Sequence, residues 1–294
     1  MTRPTDPSAT PHAVRRAVSR TKAGLGAALL ATGLASAASA ADMPAMPRFA
    51  LADATTWIVT ISGNGVAQPR FPGARDYTAF GYPSVEIRKA GEPVRFSAPD
   101  DGISFTLFES PNFRFGPVAR FQAGRYLSDD RRRLFGLRKV EWSVEPGAFV
   151  EFWPTQFLRA RVELRHGVHG HDGFVGSLGA DFIQPLGALT LSIGPRFQYG
   201  DEAFNSRYFS VSPVEATLNG RVSPYSAGGG FNTVGALAAA TYTVNEQWAV
   251  TGYGGYNRLV GDAGRSPIVR SLGTPNQFTF GAKVSYSFSM PALF

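Results

Sequence analysis

From residue 57 to residue 288 the chain repeats one pattern, in which apolar and aromatic side chains alternate with polar, charged or small ones. In 277–288, Phe278, Phe280, Ala282, Val284, Tyr286 and Phe288 alternate with Gln277, Thr279, Gly281, Lys283, Ser285 and Ser287. An extended strand sends successive side chains to opposite faces, so one face of this segment is apolar and the other polar. In 157–165, Leu158, Ala160, Val162 and Leu164 take one side while Arg159, Arg161, Glu163 and Arg165 take the other. A helix would scatter these charges around its axis, whereas a strand sorts them completely.

The same reading gives about twelve strands, near 57–68, 78–88, 93–99, 102–110, 113–126, 141–154, 157–168, 174–187, 189–200, 230–245, 248–260 and 276–288. Alternate connections are tight, and the others, such as 127–140, 201–229 and 261–275, are long. Short turns on one rim, long loops on the other and an even strand count are the signature of an outer-membrane barrel with both termini in the periplasm. The fold class expected is therefore all-β, a transmembrane antiparallel β-barrel. Its last strand should pair with its first, since a closed barrel leaves no free edge in lipid. Thr279, Gly281, Val284, Tyr286 and Phe288 form a candidate assembly signal in that strand, and 289–294 are expected to be dispensable.

Residues 1–40 interrupt the pattern. Arg3, Arg15, Arg16, Arg20 and Lys22 precede the apolar run 23–35, and Ala38-Ser39-Ala40 follows it. This order predicts a cleaved signal peptide, because the run is too short to span a bilayer. Residues 41–56 read as a periplasmic linker, and 57–294 as the barrel. The charge changes meaning once the leader is removed. The whole chain carries 29 basic and 22 acidic residues, a net +7, but 24 against 21 remain beyond residue 40, a net +3. Nothing in that balance points to nucleic acid. With no cysteine, disulfides, thiolate chemistry and Cys-ligated metals are excluded.

The candidate functional residues lie on the polar face. Arg114, Arg120, Arg159, Arg161, Arg165, Arg196 and Lys283 would face Glu141, Glu145, Glu151, Glu163 and Asp181 across a lumen. Such a lining is either a network of ion pairs filling the interior or a selective pathway. Trp57, Trp142, Tyr199, Trp248 and Phe288 suit the aromatic girdles at the membrane interfaces. His169 and His171 sit two apart in a glycine-rich loop and could pair on a divalent metal, though a solvated loop is the simpler reading. Ser177 near His171 is the only loose hydrolase candidate. Arg131, Arg132 and Arg133 lie in a long outer loop that suits lipopolysaccharide phosphates, though a solvated loop is the simpler reading. No cofactor and no catalytic residue is expected.

Several segments resemble the MipA/OmpV outer-membrane family: Trp57-Ile58-Val59-Thr60, Phe71-Pro72-Gly73, Leu127-Ser128-Asp129-Asp130 and Gly170-His171-Asp172-Gly173. The most specific is Tyr208-Phe209-Ser210-Val211-Ser212-Pro213 with Glu215-Ala216 and Tyr225-Ser226-Ala227-Gly228-Gly229-Gly230. His169 stands where a glycine is more usual. The resemblance implies a non-enzymatic outer-membrane barrel surrounded by lipid and lipopolysaccharide. It also implies a scaffold for peptidoglycan-remodelling partners, a lytic transglycosylase and a penicillin-binding murein synthase. The alternative is a porin-like channel for small solutes with a charged lumen.

Overall fold

A computed structural model describes residues 56–91 and 94–291. The expected leader, most of the linker 41–56 and the last three residues lie outside the described residues. Thr56 does not belong to the linker, since it opens the first strand.

The strands are β1 (Thr56–Pro69), β2 (Tyr77–Lys89), β3 (Ile103–Ser104), β4 (Phe108–Glu109), β5 (Phe113–Gln122), β6 (Ser143–Thr155), β7 (Leu158–His166), β8 (Val168–His169), β9 (Phe174–Leu186), β10 (Leu189–Gly200), β11 (Gly230–Thr243), β12 (Trp248–Leu259) and β13 (Asn276–Pro291). They form one curled antiparallel sheet in the order β2-β1-β13-β12-β11-β10-β9-β7-β6-β5-β3. β4 prolongs the β3 edge along β5, and β8 prolongs β7 along β6. The fold is thus all-β, a barrel-like curled wall whose described end strands β2 and β3 do not pair with each other. Among the described residues no helix is long and apolar enough to cross a membrane.

Period-2 alternation decides which side chains face lipid. In β7, Leu158, Val162 and Leu164 are exposed on the outer surface, while Arg159, Arg161, Glu163 and Arg165 are buried on the inner one. In β6, Val144, Val150 and Phe152 point out, and Ser143, Glu145, Phe149 and Glu151 point in. The outer surface is thereby apolar along its height, as hydrocarbon requires.

β13 joins the two ends of the chain within the wall. It pairs with β1 from Thr56↔Pro291 to Ala67↔Phe280, and with β12 on its other side. Serines line the inner face of the β1–β13 seam, where Ser62 and Ser285 hydroxyls meet at 2.9 Å and Thr60 meets Ser287 at 2.8 Å. The strand runs past Phe288. Ser289, Met290 and Pro291 pair with Ile58, Trp57 and Thr56, so this part of 289–294 is wall rather than a dispensable tail.

The segment expected as a strand at 93–99 also differs. Its described residues carry no strand; they fold across the inside of the wall, with Ala98 buried and Phe96 under the Arg159 guanidinium at 5.7 Å. The physical reason is charge. The segment ends in Asp100 and Asp101, which the inner arginines bind.

The apolar core lies in the long loops. The 201–229 connection contains helices α1 (Glu202–Phe209) and α2 (Pro213–Asn219). The 260–275 connection contains α3 (Gly261–Arg265) and a π-helical turn, Ile268–Leu272. Phe204, Tyr208 and Phe209 of α1 pack with Ala263 and Val269 against Val175 and Leu259, the first inward residue of β9 and the last of β12. A second cluster joins Val211, Ala216 and Val222 to Ile268 and Leu272. The long-loop mouth is therefore stoppered by a folded cap.

Candidate functional site: the paired inner wall

Strands β5 to β10 turn ten charged side chains inward, and the strap 94–101 adds Asp100 and Asp101. Arg159 is the hub. Its Nη1 donates to Asp181 at 3.0 Å, and its Nη2 donates to Glu151 at 2.9 Å and to Asp101 at 2.6 Å. Arg161 bonds Glu151 at 2.9 Å and Glu163 at 2.8 Å, with its guanidinium over the Phe149 ring at 4.0 Å. Arg165 bonds Glu145 at 3.0 Å and also Glu163. Arg120 reaches Glu163 at 3.2 Å, and Arg114 reaches Glu151 at 3.2 Å. Arg196 donates to Asp181 and to Asp100, both at 2.7 Å.

The charges balance. Arg114, Arg120, Arg159, Arg161, Arg165 and Arg196 meet Glu145, Glu151, Glu163, Asp181, Asp100 and Asp101, six of each sign. Arg159, Arg165, Glu145 and Glu151 are each 1% exposed. A buried charge persists only when paired and hydrogen-bonded, and forked guanidiniums that bridge two or three carboxylates meet that demand. Of the twelve lumen charges read from the sequence, ten fall in this network. Glu141 does not; it lies before β6 and pairs with Lys139. Lys283 sits across the barrel, 3.7 Å from Glu86. The opposite wall is lined by smaller polar groups, such as Ser62, Thr251 and Ser285.

The histidines diverge. His169 has a φ of +85°, the left-handed region where a residue other than glycine is uncommon, and its ring packs on Trp142 at 4.6 Å on the outer surface. His171 turns inward and is buried, its Nε2 3.1 Å from Glu145 and its ring edge-on to Phe204 at 4.9 Å. The two cannot share a metal, and among the described residues no group of three or more metal-ligating side chains assembles. Ser177 accepts from Arg165 at 3.0 Å on the inner wall, and the Ser143 hydroxyl accepts from the His171 backbone N–H. Neither serine forms a hydroxyl–imidazole pair with His171.

His171 instead ties the wall to the cap. So does Arg125, buried in the mouth, which donates to the Tyr208 carbonyl at 2.6 Å. Burial lowers its pKa to about 10, so it stays charged at neutral pH. The cap was not legible as structure in the sequence, although one signal was present. Ser212-Pro213-Val214-Glu215 is a capping box with proline at the first helical position, and both of its reciprocal bonds form.

Glu215 also holds the 123–142 loop, accepting from the Arg138 backbone N–H at 2.7 Å and from its Nε at 3.0 Å. Burial pushes this carboxyl up, but the bonds from Arg138 and Ser212 overrule it and hold it at about 2. A depressed carboxyl pKa contributes stability that is complete above its ordinary 4.5 and drains as pH falls toward 2. Glu215→Gln is expected to weaken the cap by about 1.5–3 kcal/mol. The readout is lower amide protection, referenced to intrinsic exchange at each pH, at Arg138 and Ser212 at pH 7, with the wild type losing that protection only on acidification below about 4. Unchanged exchange in the variant would remove Glu215 as the clasp.

In β13, Thr279 and Gly281 face inward, while Val284, Tyr286 and Phe288 face outward. Tyr286 packs on Trp248 at 4.8 Å and on Phe288 at 6.0 Å. A Cβ on Gly281 would lie 2.2 Å from the Tyr253 ring, which lies across this glycine.

Comparison with known proteins follows this architecture. Outer membrane protein OmpV of Vibrio cholerae serotype O1 is 36% identical over 206 residues, 66% of this chain and 74% of that protein. Outer membrane protein Omp26La of Vibrio anguillarum is 38% identical over 104 residues, 35% of this chain, and the match spans only 38% of its length. An outer membrane channel from Pseudomonas putida F1 superposes on 82% of this chain and 98% of its own, with a TM-score of 0.39 and 10% identity. The sequence profile of the family described as MltA-interacting protein MipA matches residues 61–288, nearly the whole wall and all of the cap. The chain belongs to this MipA family of outer-membrane barrels, with OmpV among its relatives.

Proposed function

We propose that the chain is an outer-membrane barrel acting as a non-enzymatic interaction protein for peptidoglycan-remodelling enzymes, a lytic transglycosylase and a penicillin-binding murein synthase. The observation that carries this reading is the balanced inner wall. Its six arginines and six carboxylates are bound to one another beneath a stoppered mouth. A neutral, mutually bonded lining offers a passing ion neither free charge nor a net field. The family's description supports the partner class, because it names an interaction.

In this reading residues 1–40 are cleaved on export. Residues 41–55 and the short turns form the periplasmic contact surface. Lipopolysaccharide surrounds the long-loop rim, where Arg131 and Arg132 are exposed.

Two measurements test the proposal. Purified protein in planar bilayers should give no stable conductance, and affinity capture from solubilised envelopes should retain a lytic transglycosylase or a penicillin-binding protein. Reproducible single-channel steps without captured enzyme would overturn the reading in favour of a solute channel.

A further inference from the structure

Every pairing along the sheet is antiparallel, so strand direction alternates along the eleven-strand path from β2 to β3. The two end strands therefore run the same way. Joining them directly would give a parallel pair, whereas an antiparallel barrel needs one further strand between them. Free strand edges are also not tolerated in hydrocarbon. The strap 94–101 lies between β2 and β3 in the chain, and crossing the wall there it would run in the missing direction. Val94, Phe96 and Ala98 alternate with Arg95 and Ser97, as a wall strand requires. Yet the strap is held inside, where Asp101 bonds Arg159 and Asp100 bonds Arg196.

Removing those two aspartates from the network leaves six arginines against four carboxylates. Arg159 would still hold Glu151 and Asp181, but its bond to Asp101 would be vacant. Arg196 would lose both bonds to Asp100, and Arg120 would lose its 2.6 Å bond to the Asp100 carbonyl. The vacated forks are disposed to take carboxylate oxygens, because they hold carboxylates already.

We propose that Arg159, Arg161, Arg196 and Arg120 form a carboxylate-binding site on the inner wall, filled in cis by Asp100 and Asp101. An anion bearing two or more carboxylates displaces them as the strap moves into the wall as its twelfth strand. The ligand enters from the short-turn, periplasmic end, since α1 and α3 fill the other mouth. The site goes beyond the interaction role and does not depend on it. Displacement follows mass action, as the ligand binds only the strap-out state.

The chain has no cysteine, so Phe96→Cys provides a unique attachment point for an environment-sensitive fluorophore. The labelled protein is reconstituted in vesicles with brominated acyl chains and titrated with citrate, against sodium chloride at equal ionic strength. Citrate should increase quenching by the brominated lipid, and sodium chloride should not. Asp100→Asn/Asp101→Asn should lower the half-saturating citrate at least about tenfold, or give quenching without it. Arg196→Gln, in a wild-type strap, should raise it by at least about tenfold. Quenching that citrate does not alter, or that sodium chloride reproduces, would overturn the site. Enzyme capture by the aspartate variant should match wild type, which separates failure of this site from failure of the interaction role.

Discussion

Arg159→Ala should destabilise the barrel by about 3–5 kcal/mol, the range for removing one partner of a buried charge cluster. Its side chain is 1% exposed and bridges Glu151, Asp181 and Asp101, which belong to two strands and the strap. The survivors set the size of the effect. Glu151 keeps Arg114 and Arg161, and Asp181 keeps Arg196, but Asp101 retains Arg161 at 3.7 Å as its one cation, beside the Ala98 N–H at 2.9 Å. The network would also carry an uncompensated negative charge where water is excluded. Arg159→Lys should recover only part of the loss, because one ammonium cannot reproduce a fork aimed at three carboxylates. Arg159→Ala/Asp101→Asn should be more stable than Arg159→Ala alone, with a coupling of at least about 0.5 kcal/mol between contacting groups. The temperature at which the folded band is lost in heat-modifiability gels reads each step. A midpoint for Arg159→Ala equal to wild type would show that the wall does not rely on this hub.

What made this wall legible is that a strand sorts its residues with period 2 and hydrocarbon tolerates no mixing. Leu158-Arg159-Ala160-Arg161-Val162-Glu163 admits one arrangement, and inward arginines then require inward carboxylates. The strap escaped for a related reason. Alternation at 94–98 reports an amphipathic segment but not which neighbours it chooses. The choice is made by Asp100 and Asp101, whose partners lie 96 and 58 positions away. The cap escaped because its helices are short, and their apolar residues pack against loops distant in sequence rather than along one periodic face. The capping box at Ser212 was the one local clue. The histidine pair misled because alternation was carried into a loop where it no longer holds. At φ +85° the backbone of His169 leaves the extended region, and its side chain parts from that of His171.

Gly281→Val should impair the barrel severely, and the cause can be separated from recognition during insertion. The position serves two readings at once. In the sequence it is the glycine of a terminal-strand signal with Thr279, Val284, Tyr286 and Phe288. In the fold it is the floor beneath Tyr253, its β12 register partner. A Cβ 2.2 Å from the ring cannot be accommodated without moving the phenol, and a valine adds two further methyls. Overpacking of this kind costs about 1–3 kcal/mol, and here it falls on the strand that joins the two ends of the chain. If packing is the cause, Tyr253→Ala/Gly281→Val should regain most of the folded band, because the smaller residue vacates the space. Tyr253→Ala alone should cost the barrel an aromatic–glycine contact but still assemble. If the glycine is instead read by the insertion machinery, the double variant should fail in cells as Gly281→Val does. It should nevertheless refold into lipid from denaturant, where no machinery acts. Rescue in both settings assigns Gly281 to the wall and leaves the signal to Tyr286 and Phe288. Those two outward aromatics touch Trp248 and each other rather than the lumen, so their replacement by serine should block assembly in cells whatever residue stands at 253.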